Sequence, residues 1–243
     1  MLAAVTLIFL TIPSPKRADL QQDSGGQKKT PWVDLKEGAI FIWSRKPFLW
    51  LLSLITLTNL ALSFAILMPM LVKYNLAADW SMRGFSYESA LALIISISSA
   101  FAVVGGVLVS AWGGLKRRRI YGVIIPLIFC GLALIGFGLS SWLFLTVAMA
   151  SLFDFLVPCV DSHSESIWQS QTPPEIQGRV FSLRALMAEI VSPFGMVLAG
   201  LLGGIINPGI IIAAIGGLLS LFCIVQLFNP VLKKVEDTTL NLL

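Results

Sequence analysis

The sequence predicts an all-α integral membrane protein built on six transmembrane helices, and three observations carry that prediction. Six long apolar stretches fill most of the 243 residues. Charged residues make up 12% of the chain and mean hydropathy is +0.86, whereas soluble domains carry about 25% charged residues. The basic residues collect in alternate loops.

The apolar stretches are residues 48–70, 89–111, 120–140, 142–162, 183–204 and 209–228. Each approaches the ~20 residues with which a helix crosses the hydrocarbon of a bilayer. With residues 13–47 in the cytoplasm, alternation places the loops 112–119 and 163–182 and the C-terminal tail on that same side. That side holds Lys16, Arg17, Lys28, Lys29, Lys36, Arg45, Lys46, Lys116, Arg117, Arg118, Arg119, Arg179, Arg184, Lys233 and Lys234, while the other holds only Lys73 and Arg83. Fifteen of the 17 basic residues against two is a positive-inside pattern, and it sets both ends of the six-helix block in the cytoplasm. The net charge of +4 therefore reports topology. Its dispersal among loops argues against a nucleic-acid partner.

Residues 1–12 are apolar but lack the basic start and small-residue cleavage site of a signal peptide. Too short to span, they read as the end of a truncated transmembrane helix. Residues 13–47 read as a cytoplasmic linker carrying a short amphipathic helix. Pro13, Pro15, Gly25 and Gly26 keep its first part irregular. Thr30 then offers an N-cap and Pro31 a first helical position, after which Trp32, Leu35, Ala39, Ile42 and Trp43 recur at helical spacing. Such a helix lies on the inner membrane surface with its tryptophans at the interface. The bundle occupies 48–229 and a cytoplasmic tail 230–243.

The six spans are not equivalent. The third and sixth hold no acidic or basic residue, whereas the first carries Asn59, the fourth Asp154 and the fifth Glu189. A charge at bilayer depth costs at least ~2.5–3.5 kcal/mol, so these groups face a protein interior or a watery cavity. The third and sixth spans are then the lipid-facing ones. Gly105 and Gly106 in the second span, and Pro193, Gly195, Gly200, Gly203 and Gly204 in the fifth, permit close helix approach and bending.

Two stretches add a resemblance. Trp112-Gly113-Gly114-Leu115-Lys116-Arg117-Arg118-Arg119 comes after the second span. Ile167-Trp168-Gln169-Ser170-Gln171-Thr172-Pro173-Pro174-Glu175-Ile176-Gln177-Gly178-Arg179-Val180-Phe181-Ser182 separates the fourth from the fifth. With the six-span layout they resemble the C-terminal half of a major facilitator superfamily transporter, and are similar to the branch that includes macrolide-efflux and siderophore-exporter-like proteins. The resemblance implies one half of a twelve-helix fold, in which substrate binds between two halves that rock about the midplane. It also implies that the first, second, fourth and fifth helices of a half surround the cavity, the division the polar residues suggest independently.

By function, the resemblance implies a proton-coupled exporter of small amphiphilic compounds, without a cofactor, in a bacterial plasma membrane. Its partners would be the bilayer, protons, a small-molecule substrate, and either a missing N-terminal half or a second copy of the chain. The other reading is a non-transporting membrane subunit, or the remnant of a split transporter gene.

Asp154 is the first candidate on the proton or substrate pathway, since a carboxyl at that depth can take up and release a proton or hold a substrate cation. A hydrogen bond to a neighbouring helix would account for it equally. Asn59 lies at similar depth and is a candidate partner, although a purely structural interhelical hydrogen bond accounts for it better. Glu189, with Asp161, Glu165, Arg179 and Arg184, gathers opposite charges near one inner corner, as a gate or as solvated interface charges. The loop motifs contribute Gly113, Gly114, Lys116, Arg117, Arg118, Gln169 and Gly178. His163, the sole histidine, stands between Asp161 and Glu165, but residues two apart on a helix face different ways, and no metal site is expected. Cys130, Cys159 and Cys223 read as packing residues. No phosphate-binding loop and no Ser/His/Asp arrangement suggests an enzyme.

Overall fold

A computed structural model of the chain describes residues 31–233 and Val235. The expected helix end at 1–12, the first part of the linker and most of the tail lie outside these residues. Of the unit before Leu35 only the first turn of helix α1 (Pro31–Trp43) is described; from Leu35 onward the chain is one compact unit.

All described regular structure is helical. Six helices are long and apolar enough to cross a membrane: Lys46–Tyr74, Tyr87–Trp112, Arg119–Leu139, Leu143–Gln171, Gln177–Gly203 and Pro208–Leu227. Their order matches the sequence reading. Two differ from it in ways that matter. The fourth runs on past the apolar stretch, through His163, Ser164 and Glu165 to Gln171, because His163 and Glu165 find partners on neighbouring parts of the bundle. The fifth starts at Gln177 and breaks at Ile190. Pro193 explains the break, since it has no N–H for the carbonyl of Glu189 and its ring crowds that carbonyl. Pro69 acts likewise in the first span, where Phe64–Leu67 tightens to a 3₁₀ turn.

Glycine seams hold the bundle together. The third and sixth spans run antiparallel with Gly131 against Gly216 and Gly138 against Gly209, each backbone lying on the other. Ser220 Oγ donates across the seam to the Ile128 carbonyl at 3.0 Å. Gly105 of the second span meets the Phe155 backbone of the fourth, and Gly195 of the fifth meets Ser63 of the first. Small residues let helices approach closely where no hydrophobic gain drives them together.

The third and sixth spans are thus packed face to face, while Ile125, Phe129, Leu132, Leu218, Leu221 and Val225 on their other faces stay exposed. Exposure by itself does not single them out as the lipid-facing pair. In its most apolar stretch the third span is 50% buried, whereas the second and fifth are each 17% buried.

At the end of the bundle remote from the basic loops, Asp79 closes the turn between the first and second spans. Its carboxylate takes two hydrogen bonds from Arg83, at 2.9 and 3.0 Å, and one from the Leu143 N–H at 2.8 Å. Leu143 opens the fourth span, where no side chain of its own segment caps the free N–H groups. Asp79 does so from a distant loop. The Arg83 guanidinium, and next the Leu143 N–H, hold its carboxyl below the usual carboxylate range. A depressed carboxyl stabilises the fold above its unfolded pKa and loses that effect as pH falls through the folded value. The clamp should therefore hold at neutral pH and open only below about pH 4. Asp79→Asn should speed amide exchange at Leu143 at pH 7, whereas the wild-type protein should match it only in acid.

Candidate functional site

The fourth span carries the polar positions. Asp154, Asp161 and Glu165 are spaced by seven and four residues, which at about 100° per residue puts all three within about 20° of one line along the helix. Pro158 interrupts the backbone bonding between the first two. Asp154 lines one cavity and Asp161 a second.

The first cavity, about 120 Å³, is walled by Ala61, Phe64, Met68, Ile94, Phe137 and Phe153, with Asp154 and Ser98 the polar members. Ser98 donates to the Ile95 carbonyl of its own helix at 3.4 Å. The Asp154 carboxyl makes no hydrogen bond or ion pair among the described residues. It stands half-buried, eleven residues after Leu143, the first residue of a 29-residue helix.

The second cavity, about 150 Å³, is nearer the basic loops and is lined by Thr58, Asn59, Asp161, Ser164 and Arg184 among apolar groups. Asn59 donates to the Ile55 carbonyl at 3.2 Å, and no hydrogen bond joins it to Asp154. The two positions therefore serve different cavities, with Leu62 and Phe153 lining both. Ser164, 2% exposed, has a buried hydroxyl without a partner in the described structure.

Below the second cavity Glu165 binds Arg184 at 2.6 Å, joining the fourth span to the fifth. Arg184 also lies over the rings of Trp168, at 5.2 Å, and Phe181, at 5.8 Å. Glu165 is 44% exposed, so the pair contributes no more than about 1 kcal/mol; its importance is positional. Arg179 does not join this group. It pairs with Glu37 of α1, where Gly38 lies against the Arg179 carbonyl and Ile42 enters the core beside Phe48 and Trp168. The amphipathic helix is thus docked on the start of the fifth span, with Trp43 left exposed. Glu189 is exposed at the break in the fifth span and makes no ion pair among the described residues.

The first loop motif owes its path to backbone conformation. Gly113, Gly114 and Arg118 adopt left-handed backbone angles, with φ of 77°, 69° and 55°, and Lys116, Arg117 and Arg118 are exposed. In the second motif, Gln177 Nε2 donates to the carbonyls of Gln169 and Thr172, each at 3.1 Å, and folds the short turn after Gln171. A Cβ on Gly178 would meet none of the described residues within 4 Å.

The sequence reading missed the alignment of Asp161 with Asp154, because it grouped Asp161 with the charges of the inner corner, and it ended the fourth span at residue 162, short of Glu165. Counting by sevens would have found it. It also missed the glycines of the third and sixth spans.

These are features of a helical bundle with intramembrane cavities, and comparison with known proteins agrees. Residues 1–195 match the family model of the Major Facilitator Superfamily. Macrolide efflux protein A of Streptococcus pyogenes is 28% identical over 109 residues, covering 44% of this chain and 26% of that protein. The same protein from Streptococcus pyogenes serotype M6 matches equally. The matched stretch thus spans about a quarter of these relatives. No solved structure matches the chain. With four-fifths of its length under the family model and six apolar spans arranged as described, the chain belongs to the major facilitator superfamily.

Proposed function

We propose that this chain is the C-terminal half of a secondary active exporter that moves small amphiphilic compounds outward against proton entry, with both ends of the six-span block in the cytoplasm. The observation that carries the reading is Asp154, a carboxyl without a partner among the described residues, in a cavity otherwise almost wholly apolar. An apolar wall suits an amphiphile, and the carboxyl supplies a group that can exchange a proton or meet a cationic centre. The likeness to macrolide efflux protein A supports the direction of transport. The distribution of basic residues supports the orientation.

In this fold substrate binds between two bundles, so the chain should work with a second six-span half or a second copy of itself. The test is efflux from cells expressing the chain alone, and the chain with a six-span half encoded beside it, using fluorescent amphiphiles and macrolides. Uphill efflux that collapses with the proton gradient is expected from the assembled protein. Absence of efflux from an assembled, correctly inserted complex would favour a non-transporting subunit instead.

A further inference from the structure

His163 takes no part in the pathway above. It lies nine residues after Asp154, on the opposite side of the fourth span, and is 3% exposed. Nε2 meets one partner, and Nδ1 meets the carbonyl and, at longer range, the thiol of Cys159. The Leu115 N–H donates to Nε2 at 2.8 Å, and Nδ1 lies 2.7 Å from the Cys159 carbonyl. A nitrogen that accepts an N–H carries no hydrogen, so the ring is neutral and its single proton sits on Nδ1, donated to Cys159.

Two glycines make room for the ring. A Cβ on Gly114 would stand 3.0 Å from Nε2, and one on Gly122 would collide with the ring carbons. Gly114 also holds the left-handed angle that turns Leu115 toward the histidine. A second contact comes from Arg119, which donates to the Leu115 carbonyl at 3.3 Å and the Ser166 carbonyl at 3.5 Å. The basic loop between the second and third spans is therefore fastened to the fourth through the imidazole.

We propose that His163 is a protonation-controlled latch: neutral, it clasps the Gly113–Arg119 loop to the fourth span, and protonated, it releases it. A proton on Nε2 would face the Leu115 N–H, and two donors cannot bond. Lys116 and Arg119 are the charged groups lining the same cavity of about 70 Å³, with the Cys159 thiol 3.6 Å from Nδ1. Asp161 and Glu165 lie on the other side of the helix, so no carboxylate among the described lining residues would compensate the new charge. Repulsion from Lys116 and Arg119 would add to the lost bond. The latch rests on the exporter reading only for its consequence, that release frees the second and third spans to shift against the fourth.

The test is amide exchange of residues 113–117 in the whole chain in lipid nanodiscs, at about pH 7.5 and about pH 5.5. His163→Gln keeps an oxygen acceptor near the place of Nε2 but does not titrate. Dividing the wild-type rate by that of the Gln protein removes the intrinsic pH dependence of exchange. On acidification the ratio should rise by roughly tenfold; an unchanged ratio overturns the latch. Should the Gln protein fail to fold, the wild-type amides at 147–153, in the fourth span, serve as the internal reference, and a flat ratio against them overturns it equally. Efflux is read in neither arm, so failure of the exporter reading leaves both outcomes as they stand.

Discussion

Gly138→Ala should destabilise the bundle, although alanine in place of glycine normally favours a helix by about 1 kcal/mol. A Cβ at this position would run into the Gly209 carbonyl and lie 2.8 Å from the Ala213 backbone nitrogen. Both obstacles are main chain of the sixth span, which cannot turn aside as a side chain could. The third and sixth spans must therefore separate, and with them the matching contact of Gly131 with Gly216, seven residues away on the same seam. Overpacking of this kind costs typically 1–3 kcal/mol, and the loss of neighbouring contacts places the net change near about 2 kcal/mol. Gly106→Ala is the control, since no described residue stands within 4 Å of its Cβ position. It should leave stability unchanged or raise it slightly. Unfolding midpoints of the two variants in the same detergent decide the matter. A Gly138→Ala protein as stable as wild type would mean that the seam is not closely packed.

That seam also shows what the sequence concealed. Six apolar runs and the basic asymmetry made the spans legible, because both arise from the cost of exposing backbone and charge to hydrocarbon. Hydropathy is blind to what a glycine touches, however. Gly131 and Gly138 looked no different from Gly106 or Gly200, and only the facing backbone distinguishes the seam glycines from those that meet nothing. The fourth helix was shortened for a related reason. His163, Ser164 and Gln171 lower the hydropathy of its last turns, yet all three are buried, and the groups that cover them come from parts of the chain far away in sequence. Asp154 was legible as an isolated charge, while the pairing of Arg179 with Glu37 was not, since it joins residues 142 positions apart.

Asp154→Asn should abolish uphill efflux by the assembled transporter while leaving insertion and substrate binding largely intact. An ionised carboxylate against a nearly apolar wall is costly, and the described structure supplies it neither a cation nor a hydrogen-bond donor. Through the cycle the group must hold a proton, meet a cationic substrate, or contact water admitted between two halves. Asparagine keeps the size and hydrogen-bonding shape but can neither ionise nor carry the proton. If Asp154 couples transport to protons, uphill efflux in proteoliposomes with an imposed pH gradient should fall by at least about tenfold, below the usual effect of losing a proton-transferring group. Its dependence on pH should vanish, and downhill exchange of the same compound should persist. A purely packing role predicts the reverse pattern: asparagine should support near-normal uphill efflux, and only Asp154→Leu should reduce folded protein. Wild-type coupling in the asparagine variant would exclude Asp154 as the proton carrier and direct attention to Asp161, further along the same helix face and beside Arg184 in the second cavity.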